Sequence, residues 1–358
     1  MVAKVHSAAV LGVEAYRLEV EVNLALGLPR YSATVGLPDS AVKESKERVE
    51  AAIKNSGFDF PAKRIIVNLA PADIKKEGSN FDLPIAIGVL AAQENVIPVE
   101  SLKEYLILGE LSLDGNIRGV KGVLPIALNC HKLGFKKIII PEDNKNEAGV
   151  MQNIEVYPVS TLLQTVEFLN GKCEIQPYKV DMENLFRNES VYDVDFSEVN
   201  GQESAKRALE IAAAGSHNVL MIGPPGAGKT MLSRRMVTIL PELTLEEALE
   251  TTKIHSVAGL IPTGKGIIGT RPFRLPHHTV SDAGLIGGGT YPKPGEISLS
   301  HNGILFLDEL PEFNKKGLEV MRQPMEDGEV TISRVATTLT FPARFMMVAA
   351  MNPCPCSC

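Results

Sequence analysis

Apolar and polar positions alternate with two different periods along the first half of the chain. RLEVEVNLALG (17–27) alternates with a period of two, which predicts a strand, and RIIVNLAP (64–71) predicts a buried strand. SAVKESKERVEAAIKNSG (40–57) has helical spacing, with Ser40 as the expected capping residue and Gly57 as the expected end. Strands and helices therefore intermix, and we predict an α/β or α+β domain over residues 1–170.

The same patterns continue to the middle of the chain. LPIAIGVLAAQ (83–93) predicts a buried helix, and YLILGELSLDGNIRGV (105–120) predicts a hairpin that turns at Asp114 and Gly115. Residues 171–196 are polar and without a clear period, which is typical of a linker. We therefore predict a second domain over residues 197–358, beginning with a helix that leads into the apolar strand VLMI.

A glycine-rich loop between that strand and the helix MLSRRMVTIL has the pattern G-x-x-x-x-G-K-[ST]. Its glycines allow backbone N–H groups to close around phosphate oxygens, the lysine supplies a positive charge, and the threonine hydroxyl can bind Mg²⁺. The flanking strand and helix argue against a chance glycine-rich turn. The predicted ATP-binding residues are Gly223, Pro224, Pro225, Gly226, Ala227, Gly228, Lys229 and Thr230.

Two further apolar strands end in polar residues. GILFLDEL (303–310) presents Asp308, expected to bind Mg²⁺ together with Thr230, and Glu309, expected to polarise the attacking water as general base. FMMVAAMN (345–352) ends in Asn352, which would lie between the glycine-rich loop and the Asp308 strand and orient that water; the alternative is a turn asparagine before proline. We expect the loop and the Asp308 strand to lie side by side along neighbouring strands.

These motifs, in this order, resemble the AAA+ superfamily, a parallel-sheet, three-layer fold with a P-loop. PFRLPHHTVSDAGLIGGG (272–289), PKPGEISLSHNGILFLDELPEF (292–313) and FPARFMMVAAMNPCPC (341–356) closely resemble the magnesium-chelatase-like ATPases of the ComM/YifB family. YSATVGLPDSAVKESKERVEAAI (31–53) and NFDLPIAIGVLAA (80–92) extend the resemblance through the first half.

The family resemblance implies a hairpin within residues 287–303 that faces the pore of a ring. Its expected residues are Gly287, Gly288, Gly289 and Lys293. A plain surface loop is the alternative, since a long glycine-rich segment suits either. VTISRVATTLTF (330–341) would form a second hairpin. For His277 and His278 we expect structural, subunit-contact or pore-contact roles, and Arg322 and Arg334 either reach a neighbouring subunit's nucleotide or are solvated.

The first half also resembles the protease domain of Lon, which has an S5 domain 2-like fold. ELSLDGNIRGVKGVLPIALNCHKLGFKKIIIPEDN (110–144) carries this likeness, and Lys121 stands where the lysine of the Lon dyad would be. A serine–lysine dyad needs both groups in contact. The expected serine is replaced by GSNFDLP, with Ser79 nearby and with Phe81 and Asp82 near the needed position, so we predict a pseudo-protease scaffold.

The composition narrows the possible functions but does not identify one. The net charge of −7 gives no support for nucleic-acid binding, although an acidic ring can still line a channel with a few lysines. Cys130 and Cys173 are expected to be ordinary reduced thiols of a cytoplasmic protein. A four-cysteine zinc site would need ligands beyond Cys354, Cys356 and Cys358, so zinc binding by these three is the less favoured alternative.

The resemblance implies that an AAA+ module continues beyond Asn352, into segments that supply an arginine finger, a further nucleotide-sensing arginine and a helical lid. From the sequence we therefore expect weak nucleotide binding and little turnover from these residues alone. The leading hypothesis is an ATP- and Mg²⁺-dependent motor; the resemblance implies that it forms a homo-hexameric ring and acts on DNA, by branch migration or helicase activity, during natural transformation. The alternatives are a motor subunit for magnesium insertion into a porphyrin and a truncated, non-motor remnant. A membrane role is not expected, because no apolar run is long enough to span a bilayer.

Overall fold

The computed structural model describes residues 2–25, 33–72, 74, 76, 78–93, 96–262, 264–289, 292–334 and 337–353. Its contacts divide the chain into two compact units. The first comprises Met1–Met182 with Gly259–Gly266, and the second comprises Glu183–Ala258 with Ile267–Cys358. Within the described residues, no helix has both the length and the apolar character needed to cross a membrane.

The first unit is built on a mixed sheet. Its strands are β1 (Val2–Leu11), β2 (Glu14–Ala25), β3 (Ala33–Val35), β4 (Arg64–Ala70), β5 (Tyr105–Ile107), β6 (Glu110–Leu111), β7 (Ile117–Arg118), β8 (Lys137–Pro141) and β9 (Glu155–Val159). The main sheet has the order β3-β4-β2-β1-β5-β8-β9. β2 pairs antiparallel with β1 and β4, whereas β5, β8 and β9 continue from β1 in parallel. The predicted hairpin at Asp114 and Gly115 is the antiparallel pair β6 and β7.

Helices cover both faces of this sheet. They are α1 (Ser40–Asn55), α2 (Asp82–Ala91), α3 (Val123–Asn129), α4 (Lys145–Gly149) and α5 (Leu162–Leu169), with 3-10 turns at Val99–Glu104 and Glu142–Asn144. One apolar cluster joins α1, α2 and α5 to the sheet, and a second joins α3 to β5, β8 and β9. All ten residues of α2 are buried, which confirms the predicted buried helix. The arrangement is α/β, as the alternating patterns indicate.

The first turn of α1 differs from the prediction. Asp39, not Ser40, is the N-cap, and its carboxylate accepts a hydrogen bond of 2.8 Å from the backbone N–H of Val42. Asp39 has the extended backbone that a capping residue requires, whereas Ser40 is already helical. The carboxylate therefore satisfies one of the free N–H groups at the start of the helix.

The second unit contains a smaller, fully parallel sheet. Its helices are α6 (Met182–Glu189), α7 (Glu203–Gly215), α8 (Lys229–Met236), α9 (Leu245–Ala258), α10 (Asp282–Ile286), α11 (Glu296–Leu299), α12 (Lys315–Val320) and α13 (Arg322–Asp327). Its strands are β10 (Val219–Ile222), β11 (Phe273–Arg274), β12 (Gly287–Gly288), β13 (Lys293–Pro294), β14 (Ile304–Leu307), β15 (Glu329–Arg334), β16 (Thr337–Pro342) and β17 (Met346–Met351). Single 3-10 turns occupy Phe196–Glu198, Val237–Ile239 and Leu310–Glu312. The segment predicted as a linker, 171–196, thus contains the helix α6.

The parallel sheet has the order β10-β17-β14-β11. Its four strands run in the same direction, so their carboxyl ends meet at one edge, where ligands of open α/β sheets bind. β17, which is followed by Asn352, lies between β10 and β14, as expected for Asn352, so the glycine-rich loop and Asp308 follow strands that are not immediately adjacent. Their ends nevertheless meet, since β17 carries Asn352 between them.

Candidate nucleotide site

The loop after β10 turns sharply into α8. Gly226 and Gly228 have φ angles of +80° and +84°, a left-handed conformation that favours glycine. A Cβ atom added at Gly226 would meet no atom within 4 Å, so the backbone conformation and not crowding explains this glycine. Pro224, Pro225 and Gly226 are exposed, which leaves the loop open to solvent.

Lys229 begins α8 and folds its side chain back along the loop. Its Nζ donates to the carbonyl oxygens of Gly223 at 2.6 Å and Pro224 at 3.1 Å, and to Oδ1 of Asn352 at 3.1 Å. All three acceptors are uncharged. Phosphate oxygens bind an ammonium group more strongly than neutral oxygens do, because the hydrogen bond is then between two ions.

Thr230 and Asp308 meet across the sheet edge. The Thr230 hydroxyl donates to Oδ2 of Asp308 at 2.7 Å, although 78 residues separate them. Oδ1 of Asp308 accepts the backbone N–H of Glu309 at 3.0 Å. Mg²⁺ prefers oxygen ligands and is commonly held by one or two carboxylates together with substrate phosphates. The pair fits that chemistry, with one carboxylate and one hydroxyl beside an open loop.

Glu309 has an unusual backbone for a residue with a side chain. Its φ and ψ angles are 54° and 49°, in the left-handed region, and a non-glycine residue held there costs about 1–3 kcal/mol. Its carbonyl oxygen accepts the N–H of Glu312 at 2.8 Å. The carboxylate is more than half exposed, and its Oε2 lies 3.6 Å from Nδ1 of His278.

The amino ends of β14 and β17 are tied together by buried polar groups. Nδ1 of His301 accepts the N–H of Arg344 at 3.0 Å, and Nε2 of His301 lies 3.0 Å from a Glu250 carboxylate oxygen on α9. Burial lowers the pKa of His301, and Glu250 partly opposes this effect. The N–H of Asn302 donates to the Arg344 carbonyl at 2.6 Å. These bonds fix the register of the two strands that carry the candidate site residues.

The predicted pore hairpin exists as a short pair of strands. Gly287 and Gly288 of β12 pair antiparallel with Pro294 and Lys293 of β13, and Gly289 follows β12. A Cβ atom at Gly287 would lie 2.3 Å from the Lys293 carbonyl oxygen, so only glycine fits there. The second predicted hairpin is the pair β15 and β16. Whether β12 and β13 face a pore or form a surface loop stays a prediction.

Other candidate residues lie apart from this junction or outside the described residues. Arg322 forms an exposed ion pair of 2.9 Å with Glu326 one helical turn away. The side chain of Arg334 and the residues Cys354, Cys356 and Cys358 lie outside what the structure describes. His278 was expected to have a structural, subunit-contact or pore-contact role, and its closeness to Glu309 was not predicted.

The region of the first unit that resembles a protease site is arranged differently. The Ser79 hydroxyl donates to a Glu110 carboxylate oxygen, and the Asn80 amide donates to the Lys121 carbonyl at 3.4 Å. The Lys121 side chain lies against Gly259, where an added Cβ atom would be 2.5 Å from Cδ. Among the described contacts, none joins the Ser79 hydroxyl to the Lys121 amine. A serine–lysine dyad is therefore not assembled.

Asp82, beside this serine, is completely buried. Its carboxylate receives two hydrogen bonds from the Arg48 guanidinium, at 2.7 and 3.1 Å. Burial raises the pKa of Asp82 to about 6, and Arg48 opposes the rise. The pair joins α1 to the first residue of α2, so it is part of the scaffold.

Known protein families match both halves of the chain. The family model described as magnesium chelatase, subunit ChlI, matches residues 195–358, and a second model, described as subunit ChlI of Mg-chelatase, matches residues 20–144. The archaeal Lon protease of Thermococcus kodakarensis is 31% identical over 130 residues, which cover 35% of this chain and 20% of that protein.

Two bacterial relatives match almost the whole chain. The competence protein ComM of Haemophilus influenzae is 49% identical over 356 residues, covering 99% of this chain and 69% of ComM. The protein YifB of Escherichia coli is 48% identical over 353 residues, covering 98% of this chain and 68% of YifB. The chain therefore belongs to the ComM/YifB family of magnesium-chelatase-like AAA+ ATPases.

Proposed function

We propose that the chain binds and hydrolyses ATP as part of a AAA+ ring motor that acts on DNA. The observation that carries the proposal is the junction of Lys229, Thr230, Asp308 and Asn352, which three parallel strands bring to one sheet edge. A lysine, a hydroxyl, a carboxylate and an amide placed together beside an open glycine-rich loop suit a magnesium-bound triphosphate.

Each residue of the junction has a distinct proposed role. Backbone N–H groups of the non-proline residues in Gly223–Thr230 and the Lys229 ammonium hold the phosphates, while Thr230 and Asp308 hold Mg²⁺. The bound Mg²⁺ neutralises negative charge on the phosphates as the terminal bond breaks. Glu309 polarises the attacking water, and Asn352 orients it.

The DNA part of the proposal has separate support. One close relative is named a competence protein, which favours a helicase or branch-migration role in natural transformation. We propose a homo-hexameric ring in the cytoplasm, with β12 and β13 toward its pore. Because the net charge is −7, contact with DNA would have to be confined to a channel rather than spread over a basic surface.

A second candidate is a chelatase-like motor that drives insertion of magnesium into a porphyrin. The family models for subunit ChlI, which match both halves of the chain, favour it. The similarity of part of the chain to a Lon protease favours the ComM/YifB type of function instead. DNA binding separates the two candidates.

The first test is titration of the chain with a fluorescent ATP analogue, with and without Mg²⁺. We expect K229A to weaken binding at least about tenfold, since it removes the one charged side chain proposed to contact the phosphates. K316A is the matched control, because Lys316 is largely exposed and its nearest carboxylate lies 3.8 Å away. Equal affinity of K229A and the wild-type chain would contradict the ATP proposal.

The second test is binding to forked, single-stranded and double-stranded DNA at low salt with Mg²⁺ and ATP. We expect binding that weakens steeply as salt rises, because phosphate contacts release counterions. Binding of nucleotide without binding of any DNA would instead favour the chelatase-like function.

A further inference from the structure

The first unit includes a short segment that is far from the rest of it in the sequence. The chain leaves this unit after Met182, returns to it at Gly259 and leaves it again after Gly266. The segment GLIPTGKG (259–266), called the strap below, lies between the helix α9 and the strand β11 of the second unit. All of it except residue 263 is described. A segment that contacts one unit and is covalently continuous with the other can transmit a change between them.

The side chain of Asn146 makes the central polar contact with the strap. Its amide nitrogen donates to the Gly264 carbonyl oxygen, and its Oδ1 accepts the Tyr178 hydroxyl at 2.5 Å. Because a carbonyl oxygen can only accept, the NH₂ group must be the part that faces Gly264. Tyr178 is itself held by an antiparallel bridge to Val156 and by the Lys145 ammonium, 5.3 Å from its ring centroid. The amide is therefore oriented toward the strap by a fixed neighbour.

The strap lies directly on the first unit at both of its ends. A Cβ atom added at Gly266 would be 2.5 Å from the Asn146 carbonyl oxygen and 2.8 Å from its carbonyl carbon, backbone atoms that cannot rotate away. Gly266 is accordingly buried. At the other end, a Cβ atom at Gly259 would be 2.5 Å from Cδ of Lys121. Glycine at these two positions allows a closer approach than any residue with a side chain.

The strap joins two elements that adjoin the strand ending at Asp308. α9, which precedes it, is bonded to the segment before β14, because Nε2 of His255 donates to the Leu299 carbonyl oxygen at 3.0 Å. Just after the strap, the N–H of Ile268 donates to the Thr252 hydroxyl of α9 at 2.9 Å. β11 follows and pairs in parallel with β14. A displacement of β14 therefore reaches the strap from both ends.

We propose that the strap is a regulatory element, held on the first unit through Asn146 and released when nucleotide binds to the second unit. The inference rests on the proposed function of the nucleotide site. Phosphate competes for Lys229, whose ammonium bonds to Asn352 at the end of β17. Binding therefore shifts the strand ends at this edge, and the pairing of β17, β14 and β11 carries the shift to the strap. The first unit then responds to the nucleotide state of the second.

The docking of the strap is tested by limited trypsin digestion of the 358-residue chain, with cleavage after Lys265 read by mass spectrometry. Lys265 is exposed and Gly266 is buried, so cleavage reports how often the strap leaves the surface. We expect N146D to accelerate this cleavage about tenfold, because a carboxylate keeps the shape and accepts the Tyr178 hydroxyl but cannot donate to Gly264. G266A should act in the same direction, since its Cβ atom meets the Asn146 backbone.

The matched control for docking is N55D. Asn55 is an exposed asparagine of the first unit that donates to the Leu113 carbonyl oxygen, so the substitution removes an equivalent bond outside the strap. Unchanged hydrogen exchange of the α2 amides shows that the first unit stays folded in each variant. Cleavage after Lys265 at the wild-type rate in both N146D and G266A would overturn the proposal.

The release of the strap is tested by the same digestion with Mg²⁺ and a non-hydrolysable ATP analogue. We expect the analogue to accelerate cleavage after Lys265 at least about fivefold in the wild-type chain and to add little in N146D, whose strap is already released. Bound analogue with unchanged or slower cleavage would overturn the release. Failure of the chain to bind the analogue would instead end the proposed function and the release with it, while the N146D result would still decide whether Asn146 holds the strap.

Discussion

In the second unit, polar side chains at the ends of β10, β14 and β17 contact one another beside an open loop. In the first unit, the polar groups around the start of α2 are hydrogen-bonded to charged side chains of the same unit. Among the described contacts Lys229 bonds to neutral oxygens, whereas Asp82 is completely buried against the guanidinium of Arg48. Ser79 is likewise bonded to Glu110.

The contrast separates a site that can exchange partners from one that cannot. A partly exposed ammonium bonded to neutral carbonyls can bind a phosphate at little cost, because water replaces the bonds that the carbonyls lose. Breaking a buried ion pair leaves an uncompensated charge in the interior. By this criterion we propose that the second unit has retained a working site and that the region resembling a protease site has become scaffold.

The largest expected effect is on the stability of the first unit. R48A should lower its free energy of unfolding by about 3–5 kcal/mol, because the carboxylate of Asp82 remains buried without its partner. R118A is the control, since Arg118 is exposed and lies 3.9 Å from Glu110; such surface pairs contribute about 0–1 kcal/mol. Denaturant unfolding, monitored by hydrogen exchange of the α2 amides, measures the change in unfolding free energy for each substitution. Equal effects of the two substitutions would contradict the idea that the pair of Arg48 and Asp82 stabilises the first unit.

The next effect belongs to the second unit. E309Q should slow hydrolysis by about 100-fold or more, equivalent to about 2.7 kcal/mol, because an amide cannot act as general base. Affinity for Mg-ATP should change little, since Glu309 is not a proposed ligand of the nucleotide. Single-turnover rates and a binding titration measure the two quantities, with E312Q as the control. A loss of binding equal to the loss of rate would show that Glu309 has another role.

A smaller effect concerns pH. The pKa of Asp82 is raised to about 6 by burial, so between about pH 4 and 6 the folded state binds this proton more tightly than the unfolded chain does. The free energy of unfolding should therefore fall as pH rises through that window, by about 1.4 kcal/mol per pH unit at most.

The comparison of wild type with D82N isolates this contribution, since asparagine does not titrate. The difference in unfolding free energy between the two should decrease from pH 4 to pH 6 and then stay constant. An increase over the same range would mean that the attraction of Arg48 outweighs burial, and that the carboxylate is stabilised in its charged form.

The smallest effect is expected at Ser79. S79A should change stability by about 1 kcal/mol or less, the usual net value of one hydrogen bond, and should leave Mg-ATP binding unchanged. The wild-type chain should not react with a serine-directed phosphonate probe, as read by mass spectrometry of the intact chain. Stoichiometric labelling at Ser79 would contradict the pseudo-protease proposal and remove the contrast between the two regions.

Features that depend on neighbouring residues were predictable from the sequence. The loop Gly223–Thr230 and the pair Asp308 and Glu309 follow local patterns of glycine, charge and apolar strand, and the structure brings Thr230 and Asp308 into contact. The burial of α2 was predicted from its nearly continuous run of apolar residues. In these cases the same short segment determines both the local structure and the chemistry.

Features that depend on long-range strand pairing were only partly predictable. The place of Asn352 between the two motifs was expected, but local spacing does not reveal the pairing of β17 with β10, more than 100 residues away in the sequence. The contact of His278 with Glu309 follows from the pairing of β11 with β14, which no spacing in the sequence reveals. The assignment of Gly259–Gly266 to the first unit likewise reflects contacts in space.

The most direct test is an experimental structure of the chain with Mg²⁺ and a non-hydrolysable ATP analogue. We predict that the Lys229 ammonium leaves Gly223 and Asn352 to bind phosphate oxygens, and that Mg²⁺ takes the place of the direct bond between Thr230 and Asp308. An analogue bound elsewhere, with both of those contacts unchanged, would contradict the proposed site.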